Sequence, residues 1–372
     1  MSNAGGALIL RAVVDELTPD YRLATEPWIG PYEARARLGL YQKLWLKRLG
    51  PAAGWPASAL PRRLRSLLGV VVESEIVGIL DASGFAYGDQ VGPERTERAA
   101  TAAEHWRRVG KKLILLPQAF GPFTTSRIRA AARRLFDASD LVFARDSESL
   151  AAVRELVADD QRIGLAPDLT VLVGPGDRDT PEPTRQPHAY IVPNVKVVRH
   201  GEVAEDAYLA FLLACVAAVR DRGVEPRILV HESREDGPLA DRLNAEAGGL
   251  EIVRDDDPVR VKRLIRGSQL LVGSRFHALV SALSQAVPVV AVGWSHKYGG
   301  LLRDFDVPEA LLAMPASKGD VEAAVARALD EPGRDAYLRR IELAAARQRD
   351  GANAMWRRVR SVLTDGGAAA SP

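Results

Sequence analysis

From Leu67 onward, apolar runs of strand length alternate with longer amphipathic stretches. That rhythm confines the chain to parallel α/β architecture. IVGILDAS, KLILLP and LVFARD read as strands, and PERTERAATAAEHWRRVG, TSRIRAAARRLFDAS and SESLAAVRELV carry helical spacing between and after them. Strands that are apolar on both faces belong to parallel sheets covered by helices on each side. RIGLAPDLTVLV is expected to be a further strand. GPGDRDTPEPTRQP then breaks the pattern with Pro, Gly and charge, as a linker does. The alternation restarts after it. AYIVPNVKVV is expected to be a proline-broken strand, AEDAYLAFLLACVAAVRDRG a helix, RILVHES a strand and GPLADRLNAEAG a helix. LEIVRD, PVRVKRLIRGS, LLVGS, RFHALVSALSQA and VPVVAVGW continue it, and the tail from Lys318 to Thr364 is helical.

A chain of 372 residues suits two domains. The expected fold is α/β, with two doubly wound Rossmann-like domains facing a cleft. The N-terminal one is placed at 1–175 and the C-terminal one, with its helical tail, at 188–372. A doubly wound domain usually opens with a strand that ends up mid-sheet. Here the helix GGALILRAVVDEL begins almost at once. Either the first sheet lacks that strand or the chain starts inside the domain.

A net charge of +2 over well-mixed charges points to no nucleic acid partner and gives no global attraction to an anionic membrane. The basic clusters Arg62, Arg63, Arg65 and Arg133, Arg134 lie on helical patterns and read as solvated faces. The single cysteine, Cys215, sits inside FLLACVAAV as a core residue, so no disulfide forms within one chain. With no apolar run near the roughly 20 residues of a membrane span and no signal-peptide pattern, a cytoplasmic protein is expected. No HxxxH, CxxC or clustered-carboxylate pattern argues for a tightly held metal, and neither metal nor cofactor is expected.

In doubly wound sheets, ligands bind beyond the carboxyl ends of strands, which directs attention to the strand-to-helix junctions. In LLVGSRFHALVSAL, Ser274 is expected to cap a helix whose first turn holds Arg275 and His277. Free N–H groups, the helix dipole and a guanidinium fork would favour an anion there, and His277 can exchange a proton near neutral pH. Two basic residues at that end oppose the dipole, which asks for a bound anion; the plain alternative is a solvated Arg beside a core-facing His. In LVFARDSESL, Arg145 could reach an anion and Asp146 could orient it, or Asp146 is an N-cap. In ILDASGFAYGDQVG, a loop is expected in which Gly84 lets a ligand approach and Phe85 or Tyr87 stacks on a sugar; a tight turn with core aromatics is the rival. Gln118 in LLPQAFGPF follows a strand ending at Pro117 and could bond a polar substrate, although turn chemistry alone explains Gly121-Pro122. Ser295, His296 and Lys297 follow another strand. Lys297 suits a phosphate, or is simply an exposed loop residue. Asp168 is an acid/base candidate or a turn residue. His105, His188, His200 and His231 show no supporting pattern.

Taken in order, LLPQAFGPF, VFARDSESL, APD, GSRFHALVSALSQAVPVVAVGW and HKYGGLLRDF resemble the signature segments of the polysaccharide pyruvyl transferase family. SGFAYGDQVG resembles a segment of one branch, IVPNVKVV a strand early in the second domain, and NAGGALILRAVVDEL the family's Asn-x-Gly loop and first helix, which a strand precedes. The resemblance spans about Asn3 to Phe305. Position Gly6, often acidic in the family, departs from it. The resemblance implies a glycosyltransferase-B-like fold with phosphoenolpyruvate as donor substrate, and active-site roles for Arg145 and the Arg275-x-His277 pair. The expected activity is transfer of an enolpyruvyl group onto a sugar or lipid-linked glycan as a cyclic ketal, with His277 as acid/base and Asp168 as a weaker candidate for base. Arg145, Arg275, Ser274, Lys297, Gln118, Gly84 and Tyr87 are expected to bind substrate. The acceptor could be membrane-bound, with peripheral association, and the Trp28–Pro61 segment could shape its side of the site. A nucleotide-sugar glycosyltransferase and a non-catalytic family member are the alternatives. Acceptor and oligomeric state stay open.

Overall fold

The computed structural model describes residues 4–43, 60–158, 160–174, 186–201 and 203–365. Residues 175–185 of the linker and 44–59 of the Trp28–Pro61 segment lie outside these. The chain divides into two compact units, the first made of Met1–Ser2, Ile9–Leu169 and Asn353–Pro372, the second of Asn3–Leu8 and Thr170–Ala352. The units therefore differ from a simple division at the linker, because residues at each end of the chain cluster across it.

In the first unit, β1 (Ala24–Thr25), β2 (Tyr41–Lys43) and β3 (Val70–Val71) form a small parallel sheet. The main sheet is parallel in the order β4 (Gly78–Asp81), β6 (Lys112–Phe120), β7 (Leu141–Ala144), β8 (Ile163–Leu165), with β5 (Phe85–Tyr87) also paired to β6. Helix α1 covers Ala4–Leu17, of which Ala4–Leu8 belong to the second unit. Two short helices, α2 (Tyr32–Arg37) and α3 (Arg62–Leu67), accompany the small sheet, and α4 (Pro93–Arg108), α5 (Ser126–Asp137) and α6 (Ser147–Arg154) alternate with the main strands. Thr125 caps α5 by accepting from the Ile128 N–H. Its buried positions Ile128, Ala131, Ala132, Leu135 and Phe136 repeat at the spacing of one helical face.

The second unit carries one parallel sheet in the order β11 (Ile252–Arg254), β10 (Glu225–Val230), β9 (His188–Val192), β12 (Leu270–Gly273), β13 (Val289–Val292), β14 (Leu311–Leu312). Counted from its own first strand this is 3-2-1-4-5-6, the doubly wound order, and the direction of winding reverses between β9 and β12. Its helices are α7 (Val195–His200), α8 (Glu205–Arg220), α9 (Ser233–Glu246), α10 (Pro258–Arg266), α11 (Phe276–Leu283), α12 (His296–Asp304), α13 (Lys318–Leu329) and, as far as Ala352, α14 (Gly333–Asp365). Strand residues alternate between two cores. Ile191, Val230, Val272 and Val290 join α8 and α13, while Tyr190, Leu229, Leu271 and Val289 join α10, α11, α12 and α14. Cys215 is fully buried in the first of these.

Several segments depart from the sequence reading. AYIVPNVKVV is a strand only to Val192. Pro193 cannot extend the ladder, Asn194 accepts from the Lys196 N–H, and Val195–His200 is a helix. RIGLAPDLTVLV stops as a strand at Leu165, and Leu169–Leu172 is a 3-10 turn after Pro167. Conversely, β6 runs through Pro117 to Phe120, with a register irregularity between Leu115 and Gln118 that accommodates the missing N–H. FAY is a strand and not a loop. RILVHES is a strand only to Val230, and α9 begins at Ser233, so Glu235 and Asp236 lie on a helix. His296–Asp304, read as a loop at its start, is helical throughout.

Candidate active site

The winding reversal of the second unit brings Val192-Pro193-Asn194 beside Gly273-Ser274-Arg275. The approach is close: a Cβ on Gly273 would lie 2.9 Å from the Val192 Cβ. Asn194 Nδ2 donates to the Ser274 carbonyl at 2.8 Å, which also accepts from the Tyr298 hydroxyl at 2.9 Å. Ser274 Oγ lies 3.3 Å from the Tyr208 hydroxyl. Ser274 is fully buried and is not a helix cap; Arg275 occupies that position, without a side-chain cap bond. The serine is a strut that joins two strand ends to two tyrosines. Burial raises the pKa of both Tyr208 and Tyr298, so both hydroxyls stay protonated and able to donate.

Arg275 is also bonded. Its Nε donates to Asp236 Oδ2 at 2.8 Å and its Nη2 to Asp236 Oδ1 at 2.5 Å, with Glu235 Oε2 at 3.4 Å. Asp236 is fully buried and accepts from the Val195 N–H at 3.1 Å as well. Burial pushes its carboxyl upward, against the pull of Arg275 and the Val195 N–H. Burial disfavours the charge of Arg275, but Asp236 and Glu235 more than offset this and raise its pKa. The expected open anion fork is thus a buried ion pair tying α7, α9 and the start of α11 together.

His277 stands in the first turn of α11, half-buried, its ring edge-on to Phe276 at 5.5 Å. The start of α1 packs against it. A Cβ on Gly5 would lie 2.2 Å from its Nδ1. Only glycine leaves the imidazole its place. Gly6, by contrast, has nothing within 4 Å of a built Cβ. Lys297 lies in the first turn of α12 with Nζ 4.3 Å from the Trp294 ring, 5.3 Å from Tyr298 and 5.8 Å from Phe276. Aromatic faces hold its ammonium beside the histidine's own helix. At the end of β10, half-buried His231 completes the cluster. Burial, then the neighbouring His277 and Arg275, push its pKa down to about 3, so it is neutral at physiological pH.

The first unit gathers a second set at the carboxyl ends of its strands. Arg145 follows β7 and Asp168 follows β8, and Arg145 Nη1 donates to Asp168 Oδ2 at 3.1 Å. Both are over nine-tenths buried. The Arg145 N–H donates to the Gln118 carbonyl at 3.0 Å. Gln118 is fully buried on β6, and neither Oε1 nor Nε2 of its carboxamide has a hydrogen-bond partner. Buried amides are normally satisfied, so these atoms suit a ligand. Asp146 is the N-cap of α6, accepting from the Ser149 N–H at 2.7 Å.

Tyr87 does not present a stacking face. It is buried, lies parallel to Phe120 with ring centres 6.4 Å apart and donates its hydroxyl to Asp81. Gly84 is in the left-handed region at φ 72°, against Ile9, where it turns the chain between β4 and β5. Sequence reasoning passed over His231, Asn194 and Asp236. Asn194 carried a readable signal, a cap residue after the first strand of a doubly wound unit. His231 follows a strand directly, while Asp236 gave none, because SREDG reads as a loop. Among the described residues no cluster of three or more His, Cys, Asp or Glu could hold a metal ion.

Fold and strand-end chemistry define an α/β protein of doubly wound, glycosyltransferase-B-like class. The likeness to solved structures agrees. A candidate UDP-N-acetylglucosamine 2-epimerase from Listeria monocytogenes matches at TM-score 0.59 and 12% identity, covering 93% of this chain and 92% of that one. UDP-GlcNAc 2-epimerase from Neisseria meningitidis bound to UDP-GlcNAc matches at 0.55 and 10%, over 92% and 95%. S. aureus MnaA with UDP matches at 0.55 and 11%, over 92% of each. No curated protein matches in sequence. The polysaccharide pyruvyl transferase profile matches residues 3–296, and the chain belongs to that family.

Proposed function

We propose that the protein transfers the enolpyruvyl group of phosphoenolpyruvate to two hydroxyls of a sugar or lipid-linked glycan, forming a cyclic ketal and releasing phosphate. The observation that carries the reading is the position of His277. A proton-exchanging side chain stands in a helix's first turn beside a doubly wound switch point, in a chain of this family.

In the proposed reaction a proton adds to the methylene carbon, making it a methyl group and leaving an oxocarbenium-like centre at C2. One acceptor hydroxyl attacks C2 and loses its proton. The C2–O bond to phosphate breaks, the second hydroxyl closes the ring, and its proton leaves with the phosphate. His277 is assigned the proton transfers. Lys297 is assigned to the donor's negative charge, as a point cation beside the N-terminus of α11. Arg275, held by Asp236, orients the start of the helix from which His277 projects. In the first unit, Gln118 and Arg145 are assigned to substrate, with Asp168 holding Arg145; the carboxylate's engagement there favours a positioning role over that of a base.

The test is thermal stabilisation by phosphoenolpyruvate, beside UDP- and GDP-sugars, with Lys297→Ala as control. A ligand at 100 times its Kd adds about 2.7 kcal/mol. A phosphoenolpyruvate shift that Lys297→Ala abolishes supports the reading, and a shift with a nucleotide sugar alone overturns it.

A further inference from the structure

Lys297 stands where a helix disfavours it. It lies in the first turn of α12, whose dipole opposes a cation, and no acidic residue stands in that turn. Aromatic faces work against the dipole. Three rings face the ammonium, and Trp294 is much the nearest, at 4.3 Å against 5.3 Å for Tyr298 and 5.8 Å for Phe276. An indole is also the strongest attractor of a cation among the three. Tyr298 has a second duty, since its hydroxyl donates to the Ser274 carbonyl.

The indole is itself fixed. Trp294 follows β13 and packs against both cores of the second unit. Its ring centre lies 6.1 Å from that of Tyr298, at 64°, and 5.1 Å from that of His200. Gly201, just after α7, comes so near that a built Cβ would lie 3.2 Å from the Trp294 Cβ. The end of α7 therefore backs the tryptophan, while its start is tied to Arg275 through Asp236. A loose lysine side chain loses rotamer freedom when a ligand orders it, and that weakens binding. One already held against a fixed ring avoids the loss. We propose that Trp294 is a positioning residue, which holds the Lys297 ammonium in place for the donor and so sets donor affinity. This rests on the assignment of Lys297 to the donor's negative charge.

Two measurements test it separately. By calorimetry, phosphoenolpyruvate should bind about five- to thirtyfold more weakly to Trp294→Leu. Trp294→Phe keeps an aromatic face and should recover most of the loss. In Lys297→Met, which keeps the stem without the charge, Trp294→Leu should weaken binding no further. The second measurement needs no donor. Acetic anhydride acetylates Lys297, and mass spectrometry reads the rate. An amine that must leave the rings to react should label about five- to thirtyfold faster in Trp294→Leu than in the wild-type chain, with Trp294→Phe between them. Unchanged labelling in both variants overturns the positioning role. So does an equal loss of affinity from Trp294→Leu with and without the charge of Lys297. Phosphoenolpyruvate that binds Lys297→Met as tightly as the wild type overturns the assignment of Lys297 to the donor, and with it the effect on affinity, while labelling still decides what holds the ammonium. Should a lowered melting temperature show that Trp294→Leu folds poorly, Trp294→Phe carries both comparisons.

Discussion

A bonded network at the strand ends of the second unit contrasts with one unsatisfied amide at those of the first. In the second, Asn194, Ser274, Arg275 and Asp236 are bonded to one another and to Tyr208 and Tyr298. In the first, Gln118 is as deeply buried, yet its carboxamide has no partner. A fully bonded network fixes a geometry in advance, whereas an unsatisfied amide in a low-dielectric site costs free energy until something binds it. Under the proposed reaction, the bonded network of the second unit would position His277, and the vacant amide of Gln118 would bind substrate in the first.

The sharpest way to break this division is His277→Asn. Turnover should fall about 10²–10⁴-fold while phosphoenolpyruvate affinity barely changes. Single-turnover kinetics and calorimetry separate the two, and lost affinity with intact turnover would make His277 a binding group. Next in size is Asp236→Ala. Leaving Arg275 buried without its carboxylate should cost about 3–5 kcal/mol in urea unfolding, and Asp236→Leu with Arg275→Met should recover much of it. Exposed Asp15, paired with Arg11 at 2.7 Å, should lose at most about 1 kcal/mol in the same assay.

Gly5→Ala tests the fixed geometry more gently. The methyl must displace the imidazole, and a displacement of about 1 Å costs about 10²-fold in kcat. Stability should hold, because alanine favours a helix. Unchanged kcat would show that the ring's placement is not demanding. In the first unit, Gln118→Leu should be neutral or stabilise by up to about 1–3 kcal/mol, since it removes an unsatisfied buried amide, and it should weaken substrate binding. Loss of stability would mean that Gln118 is structural after all.

A further effect concerns pH. The folded pKa of His231 is about 3 against 6.5 ordinarily, so between those values the unfolded chain binds the extra proton. The contribution of His231 is complete above about pH 6.5 and is lost as pH falls toward about 3. His231→Gln should flatten that limb of a stability-against-pH curve. An unchanged limb would remove His231 from the charged cluster.

The fold class was legible because apolar strands buried on both faces leave an unbroken signal. The same periodicity located β12 and α11, and so put Arg275 and His277 at a helix's beginning. It did not locate breaks set by single residues. Pro193 ended a strand that the apolar run VKVV had seemed to continue, and Pro117 failed to end one because a register shift absorbed it.

By itself the sequence determined the parallel alternation, the strand-end placement of the cationic residues and, through ordered motifs, the family. The tertiary structure alone decided what each residue meets. Asp236 lies 39 positions from Arg275 and Gly5 lies far from His277 along the chain, yet a 3-2-1-4-5-6 sheet and the start of α1 bring them into contact. Periodicity reports the local geometry of a helix or strand. It carries no record of which distant side chain will neutralise a buried charge or leave room for a ring.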